Sequence, residues 1–393
     1  MNAPAIPLAN IADAWLGRLA RLSAAPALQS LDAPTLLGER ATLAGYRVPA
    51  RIAASANCAL FDAADDRLAL SLSRATDREL LPALFERDDV DIDDDAAIAA
   101  LIAQSRAAGL VERGRLLGLA ISAVHAAEHD EAEPSVRLHD GLPATRDSGR
   151  PPRVVDLSAL WAGPLCGHLL WLAGAELIKV ESLRRPDAMR GGAPEFFSLL
   201  NQGKASVVLD FADAAQLQAL RKLIASADIV IEAARPRALR QLGIEAERFV
   251  DEVPGLSWIS ITGHGATGEA ANWIGFGDDC GVAAGLSAAL EEASGSIGFV
   301  GDAIADPLTG IYAAALAFEA WRSRRGGRHA VAMSRVVAHA LAGARRSAPQ
   351  ALAEDLRAWS AAVGQPFART RIRAFEAAAE FGRDTARYAS LAC

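Results

Sequence analysis

The stretch RVVDLSALWAGPLCGHLLWLAGAELIKVES (153–182) decides the fold of this chain. It begins with a short apolar strand pattern, RVVDL, and continues with an apolar helical pattern in WAGPLCGHLLWLAG. It ends with a second strand pattern, AELIKVES. A strand, a helix and a strand at this spacing are typical of a crossover unit whose two strands lie parallel. The stretch therefore predicts an open α/β sheet.

The same alternation continues toward the C-terminus. Strand patterns recur in NQGKASVVLDF (201–211), DIVIEAA (228–234) and LSWISITGHG (256–265), with helical patterns between them. We therefore predict a Rossmann-like, mostly parallel sheet with flanking helices. Ligands of such sheets bind beyond the carboxyl ends of the strands. The residues that matter most for function are thus expected in the segments 158–164, 181–190, 233–240 and 263–268.

The N-terminal third has a different pattern. Helical patterns at 9–24, 36–45 and 96–107 flank a hairpin pattern at 58–74, and a short strand pattern follows at 119–124. These elements predict a smaller α+β domain. The segment 128–152 is rich in Glu, Pro, Asp and Gly and is interpreted as an interdomain linker. The predicted division is an N-terminal helical segment (1–32), a small domain (33–127), the linker and a large domain with a C-terminal tail (153–393).

Composition excludes several classes of protein. Of the 393 residues, 51% are hydrophobic and 22% are charged, which supports a large core and argues against disorder. The net charge of −8 argues against binding to nucleic acid or to an anionic membrane. The longest apolar stretch, 165–178, is interrupted by His168, Gly174 and Glu176, so no membrane span is predicted. The N-terminus lacks a signal-peptide pattern, and we expect a cytoplasmic protein.

The cysteines point to neither a disulfide scaffold nor a metal site. The four of them are far apart in the sequence and have no spacing typical of zinc ligands. Cys166 and Cys280 lie near the expected ligand edge, but nothing beside them marks an activated thiolate, and we interpret both as structural. We predict no metal site.

Arginines follow two of the predicted strands. Arg184, Arg185 and Arg190 come after Glu181, and Arg235, Arg237 and Arg240 come after the strand at 228–234. A guanidinium group matches the oxygen geometry of phosphate, so two such loops favour a phosphate-bearing ligand over solvated loops. A nicotinamide dinucleotide is not favoured, because the first strand-to-helix turn lacks the required glycines. We interpret Glu181 as a strand-terminal acid paired with a neighbouring arginine.

One further segment, GDAIADPLTGIYAAALAFEAW (301–321), carries the strongest candidate for chemistry. Asp306 followed by Pro307 is a favoured helix start, so Asp306 is either an N-cap or a functional carboxylate held ionised at the helix N-terminus. An ionised carboxylate in a pocket can act as a nucleophile. Asp302 is the competing acid. His264, in the turn TGHGATG, is either a general base or a packing residue, and His168 is interpreted as a core histidine.

Together these segments resemble the class III CoA-transferase family, which includes formyl-CoA and carnitine CoA-transferases and α-methylacyl-CoA racemases. The resemblance runs from Arg153 to Met333 through six motifs in the family's order, and EFGRDTARY (380–388) is similar to the family's C-terminal Gly-x-x-Thr motif. The family's nucleophilic aspartate stands four residues before a glycine at the start of a helix. Asp306 and Gly310 match that pattern, which implies that Asp306, and not Asp302, is the nucleophile.

The resemblance also implies how this chain would act. It implies an enzyme that transfers CoA from an acyl-CoA to a carboxylic acid acceptor, with the CoA thioester as substrate and no permanently bound cofactor. His264 and Gly265 would form the wall that stabilises the oxyanions. The residues expected to hold the CoA nucleotide are Arg184, Arg185, Arg190, Asn201, Lys204, Arg235 and Arg240.

Three features depart from the family pattern. Gln241 stands where members carry an arginine. The small-domain pattern lies before the large domain instead of after the active-site helix, as in a circular permutation. The racemase branch has a histidine directly before an aspartate in the region that here reads Phe276-Gly277-Asp278-Asp279, so racemase activity is the less favoured alternative. A CoA-binding protein without catalysis is a second alternative.

The resemblance finally implies an assembly. Family members form interlocked dimers, which need two linkers between large and small domain. Because only one linker is evident in this sequence, we predict a homodimer whose chains need not be topologically linked.

Overall fold

The computed structural model describes residues 4–125, 133–144, 149–234, 236–367 and 370–390. Its main feature is a seven-stranded sheet with the order β4-β10-β9-β8-β5-β6-β7. Six strands lie parallel and the edge strand β4 lies antiparallel, so the predicted mostly parallel sheet is confirmed. The strands are β4 (Ser135–Pro143), β5 (Arg153–Asp156), β6 (Glu176–Ser182), β7 (Ala205–Leu209), β8 (Ile229–Glu232), β9 (Ser257–Thr262) and β10 (Arg325–Ala332).

The chain winds outward from β5 in two directions. It first adds β6 and β7 on one side of β5, and then returns to add β8, β9 and β10 on the other side. The switch point of this sheet therefore lies between β5 and β8, where a ligand crevice is expected beyond the strand ends. The large-domain helices are α8 (Ala162–Leu172), α9 (Met189–Gly192), α10 (Pro194–Asn201), α11 (Ala214–Ala225), α12 (Pro236–Gln241), α13 (Ala246–Glu252), α14 (Gly277–Ala283), α15 (Leu286–Ser294), α16 (Ala305–Arg322), α17 (Met333–Ser347), α18 (Pro349–Ala361) and α19 (Thr385–Ser390).

Part of the predicted linker is a strand, and that interpretation of 128–152 is wrong for Ser135–Pro143. The strand β4 pairs antiparallel with β10, with Val136 opposite Ala330 and His139 opposite Arg328. Edge strands tolerate polar residues because one of their sides faces solvent. The sequence analysis did not predict this strand because the residues of SVRLHDGLP are mostly polar.

The small unit contains a three-stranded antiparallel sheet. The predicted hairpin is confirmed, with Cys58 opposite Ser71 and Asp62 opposite Arg67, and the third strand pairs with the second. Apolar side chains such as Leu68, Leu84 and Ile102 form a separate core between this sheet and its helices. The elements are β1 (Cys58–Asp62), β2 (Arg67–Ser71), β3 (Ala120–Ala123), α4 (Ala75–Arg78), α5 (Leu81–Phe85), α6 (Asp95–Ala103) and α7 (Ala107–Leu117).

The first three helices belong to the large core. They are α1 (Ala9–Ser23), α2 (Pro26–Gln29) and α3 (Ala33–Ala44). Leu16 and Leu36 lie in the same cluster of buried side chains as Leu165 of α8 and Leu308 of α16. The helix at 33–44, which the sequence analysis placed in the small domain, thus packs with the large one. The chain therefore joins the large domain both before and after the small unit. The sequence analysis assumed a single linker between the two, and that assumption is wrong.

The C-terminal tail fastens onto the free edge of β7. Asp384 Oδ2 accepts a hydrogen bond from the backbone N–H of Ser206 at 2.9 Å, and Thr385 Oγ1 accepts one from Val208 at 2.9 Å. The motif Gly382 to Thr385 therefore satisfies strand donors that would otherwise be unpaired. Among the helices of the described ranges, none is long and apolar enough to cross a membrane.

Candidate active site

A cavity of about 1170 Å³ opens at the carboxyl ends of β5, β8 and β9. The small unit forms its opposite wall through α7, so the cavity lies between the two units. Leu160, Ala233 and Gly263 line it from the sheet edge, and Asp306 lines it from the start of α16. The position agrees with the switch point of the sheet.

Asp306 lies in the first turn of α16, one residue after the helix begins at Ala305. Of the two alternatives for Asp306, the N-cap is therefore wrong, since Ile304 occupies that position and makes no side-chain cap. The Asp306 carboxylate instead accepts a hydrogen bond from the backbone N–H of Ala162, at the start of α8. Two helix N-termini thus meet at this side chain, and both favour its ionised form.

Two glycines explain how Asp306 comes so close to other backbone segments. A Cβ atom at Gly310 would lie 2.8 Å from the carbonyl oxygen of Ala162 and 2.9 Å from Cβ of Leu165. Gly310 therefore allows α16 to pack directly on α8, which brings Ala162 to Asp306. A Cβ atom at Gly277 would overlap with Asp306 Oδ2 and with the carbonyl oxygen of Ala303. The glycine at 277 leaves the space that the carboxylate occupies.

We expect Gly277→Ala to lower turnover by about 10²-fold, because the added methyl group displaces the Asp306 carboxylate and a shift of about 1 Å in a reacting group has that effect. Gly281→Ala is the matched control on the same helix, since its Cβ would lie 3.6 Å from Ile304 Cγ2, an ordinary contact. Steady-state kinetics of both variants test this expectation. Equal activity in the two variants would show that the space around Asp306 is not critical.

Charges around Asp306 set its protonation. Burial raises the pKa of Asp306 to about 6, while the Arg40 guanidinium and the Ala162 N–H act in the opposite direction. Burial also raises the pKa of Asp278 to about 7, with the Asp302 carboxylate adding to the effect. Asp302 itself is bound by Arg40 through two hydrogen bonds. Asp302, the competing acid, is therefore engaged in a buried ion pair, and Asp306 lines the cavity.

The raised pKa of Asp306 predicts an acidic limb in the pH profile. Any step that requires the ionised carboxylate of Asp306 should slow by about tenfold per pH unit below about pH 6 and level off above it. Single-turnover rates between pH 4.5 and 8 measure this limb. A rate that stays constant down to pH 4.5 would contradict an ionisation near pH 6.

His264 and Gly265 do not lie where the sequence analysis expected them. His264 is buried, with its Nε2 3.5 Å from Asp279 Oδ2 and 3.9 Å from Cys280 Sγ. Both residues line a separate small cavity of about 60 Å³ beside β4. Gly263 and Gly275 line the main cavity instead, together with Ala162 and Gly163 at the start of α8.

The first arginine loop follows β6 next to the cavity wall. Arg184 and Arg185 are exposed, and Arg184 lies 3.2 Å from Asp210. Arg190 pairs with Glu181 at 2.5 Å, which confirms the expected pairing of Glu181 with an arginine. Asp187 of this loop accepts a hydrogen bond from the backbone N–H of Leu160 at 3.2 Å. The loop and the cavity wall are therefore fixed to each other.

Asn201 and Lys204 lie inside the protein, which argues against their expected contact with the CoA nucleotide. Lys204 Nζ donates to Asp156 Oδ2 at 2.9 Å and to the carbonyl oxygen of Pro164 at 2.8 Å, and both charged side chains of the pair are buried. Asn201 Nδ2 donates to the carbonyl oxygen of Phe197. These contacts hold β5, α8 and the α10 turn together.

The second arginine loop is described only in part. Arg240 is exposed and lies 3.3 Å from Glu247, while Arg235 lies outside the described residues. His168 is buried, as expected of a core histidine, and Cys58, Cys166 and Cys280 are buried free thiols. Cys280 lies beside His264 and Asp279, and their ligand atoms are all within 4.8 Å of one another. Cys393 also lies outside the described residues.

The sequence analysis missed the contribution of the small unit to this cavity. Arg74, Arg115 and His125 line it, as does Trp273 from the loop after β9. The guanidinium of Arg115 stacks over the Trp273 ring, 3.7 Å from its centroid. The sequence analysis predicted a helix at 96–107 and none at 107–117, and nothing in the sequence indicates which side of α7 meets the large domain.

A family model described as CoA-transferase family III matches residues 152–366, which is more than half of the chain. The chain belongs to CoA-transferase family III. The match includes Asp306, Gly277 and Gly310 and excludes the small unit with Arg115. The family resemblance that the sequence motifs indicated is thereby confirmed.

Several curated relatives of this chain have names that state their substrates. A succinate–glutarate CoA-transferase of Agrobacterium fabrum is 32% identical over 41% of this chain and 43% of its own length. A succinyl-CoA–D-citramalate CoA-transferase of Chloroflexus aurantiacus is 32% identical over 45% of this chain and 48% of its own. The chain thus spans less than half the length of these relatives. A crystal structure of a hypothetical protein from Mycobacterium tuberculosis is 27% identical and covers 55% of this chain and 60% of its own, with a TM-score of 0.44.

Proposed function

We propose that this protein is an acyl-CoA:carboxylate CoA-transferase with Asp306 as its nucleophile. The observation that carries the proposal is the placement of Asp306. Its buried carboxylate lines a cavity at the switch point of the sheet, in the space left by Gly277. Family membership supplies the reaction class, and the names of the relatives agree with it.

The proposed reaction proceeds through covalent intermediates on Asp306. The carboxylate attacks the thioester carbonyl of the donor, which breaks the C–S bond and gives a mixed anhydride and the CoA thiolate. The thiolate then attacks the aspartyl carbonyl, which releases the donor acid and leaves an aspartyl-CoA thioester. The acceptor acid repeats these two steps in reverse and departs as the new acyl-CoA. Covalent intermediates of this kind split one difficult transfer into easier steps.

The oxyanions of these steps would lie against the backbone of Gly263 and Gly275. A Cβ atom at Gly263 would lie 2.8 Å from the backbone nitrogen of Gly275, so the two segments touch without intervening side chains. Preorganised backbone amides stabilise negative charge that develops in the transition state. Gly263 and Gly275 thus take the role first expected of His264 and Gly265.

CoA would enter along the arginine loops. Arg184 and Arg185 are the exposed cations of the first loop, and Asp187 ties that loop to Leu160 in the cavity wall. Arg240 is the exposed cation of the second. A diphosphate bound by these side chains would leave the thioester end of CoA within the cavity. We propose that CoA thioesters bind here as substrates, as in CoA-transferases generally.

The test is a panel of acyl-CoA donors incubated with carboxylic acid acceptors, with new acyl-CoA products detected by mass spectrometry. Transfer to at least one acid supports the proposal. Binding of CoA without any transfer across the panel would favour the non-catalytic alternative. Racemase activity has no comparable support, because the acid–base pair it requires would be His264 and Asp306, and His264 lies at a different cavity.

We also propose a cytoplasmic homodimer. Apolar side chains exposed on the large domain, such as Val136 and Leu142 on the edge strand β4, are 42% and 46% exposed and would be covered in a dimer. Since both ends of the small unit join the large domain, interlocked and unlinked dimers are both compatible with the connections. Sedimentation at micromolar concentration and subunit exchange between tagged and untagged protein test the two points.

A further inference from the structure

One cationic side chain that lines the main cavity takes no part in the proposed reaction. Arg115 lies near the end of α7, in the small unit, and faces Trp273 of the loop that follows β9. Both side chains line the cavity that contains Asp306. Stacking on the indole fixes the plane of the guanidinium and leaves its N–H edge available for a ligand.

The Arg115 guanidinium also lacks an acidic partner within the described ranges. Its Nε is buried and makes no hydrogen bond there. Burial lowers the pKa of Arg115, with the Asp279 carboxylate acting in the opposite direction, and a guanidinium stays charged despite such a shift. The other arginine of the lining, Arg74, is by contrast bound to Asp77 and to the carbonyl oxygen of Gly118. A charged, partly buried group of this kind requires an anion.

Arg115 and the Asp306 carboxylate line the same cavity and are joined by one loop segment. Within this segment the backbone N–H of Phe276 donates a hydrogen bond to Asp279 Oδ1 at 2.7 Å. The short segment from Trp273 to Gly277 thus touches Arg115 at one end and Asp306 at the other.

The surroundings favour a small anion over a phosphate group. Asp65, Asp66, Glu112 and Glu269 also line the cavity, and Arg74 is already paired with Asp77, so a highly charged phosphate would meet acidic side chains and the Arg115 guanidinium. A carboxylate carries one charge and matches the fork of one guanidinium in a bidentate pair. A molecule that spans from Asp306 to Arg115 would then carry a reacting carboxyl or thioester group at one end and a free carboxylate at the other.

We propose that Arg115 binds the second, unreacted carboxylate of a dicarboxylic substrate, and that short dicarboxylic acids and their CoA thioesters are the preferred substrates. This inference rests on the proposed CoA-transferase function for its turnover measurements. It assigns substrate selection to the small unit, outside the part of the chain that the family model matches. Arg115 is a specificity residue in this account and takes no part in bond making.

The experiment compares glutarate with valerate, in which a methyl group replaces one carboxylate, as acceptors for the full-length protein. In Arg115→Gln, kcat/KM for glutarate should fall by about 10- to 100-fold, the effect of losing a charge-assisted pair, while kcat/KM for valerate stays within about threefold. Arg113→Gln is the matched control, because Arg113 lies on the same helix, binds Glu86 and Leu84 and does not line the cavity. Equal losses with both acids would overturn the proposal, and so would a loss confined to the KM of a donor whose acyl group carries no carboxylate, such as acetyl-CoA.

A second measurement separates this inference from the proposed function. Calorimetry with glutarate and free CoA reports binding without turnover. Glutarate binding that Arg115→Gln abolishes and Arg113→Gln preserves would support the inference even if no acid is converted. Transfer to monocarboxylic acids with neither binding nor transfer of glutarate would overturn the inference and leave the proposed function standing.

Discussion

Replacing Asp306 by Asn is expected to lower CoA transfer by at least about 10³-fold, because an amide does not attack a thioester and removal of a nucleophile has effects of that size or larger. The fold should persist. The Asn side-chain carbonyl can still accept the hydrogen bond from the Ala162 N–H, and its amide fits the space left by Gly277. Initial rates, together with thermal unfolding of the same preparation, measure both expectations.

The control for this substitution is Asp278→Asn. Asp278 is a second buried carboxyl group of the same cluster, accepts a hydrogen bond from the Ala303 N–H at 3.0 Å and has a pKa raised by burial to about 7. An asparagine therefore resembles the protonated form that Asp278 adopts below that pH. We expect Asp278→Asn to keep activity within about tenfold of the natural protein. Full activity in Asp306→Asn would refute its role as nucleophile.

The second large effect concerns stability. Asp302 and Arg40 form a two-bond ion pair in which the side chain of Asp302 is fully buried and that of Arg40 is 17% exposed. Removing one partner of a buried pair leaves an uncompensated charge, so Asp302→Asn should lower the free energy of unfolding by about 3–5 kcal/mol. Denaturant unfolding followed by circular dichroism measures the loss.

Asp62→Asn provides the comparison. Asp62 pairs with Arg51 at 2.7 Å, but its side chain is 64% exposed. Exposed pairs contribute about 0–1 kcal/mol, so this variant should unfold close to the natural protein. A loss of less than about 1 kcal/mol in Asp302→Asn would contradict the account of a buried ion pair beside the nucleophile.

The strands of the large domain could be predicted because each is a clear apolar run in the sequence. The run 153–182 and the strands at 229–232 and 257–262 are continuous apolar segments between turns, and the structure places them in the parallel sheet. The strand at 135–143 could not be found in this way, because its polar face is solvated and only its pairing with β10 defines it. The place of the helix at 33–44 depends on contacts with α8 and α16, which no local pattern contains.

Part of the site could also be predicted from local sequence. Asp306 stands four residues before Gly310 in a motif of neighbouring residues, and that motif identified it as the candidate nucleophile. The family resemblance implied that Lys204 binds CoA. Its partner Asp156 is 48 residues away, so the burial of Lys204 depends on the packing of the sheet and not on a local pattern. Arg115 and Trp273 are farther apart still and meet only across the two units.

The covalent adduct on Asp306 tests the central claim most directly. The protein is incubated with an acyl-CoA donor and hydroxylamine, digested and analysed by mass spectrometry. The account predicts conversion of the Asp306 side chain to a hydroxamate, dependent on acyl-CoA and absent in Asp306→Asn. Turnover without any modification of Asp306, or a hydroxamate on another residue such as Asp302, would contradict it.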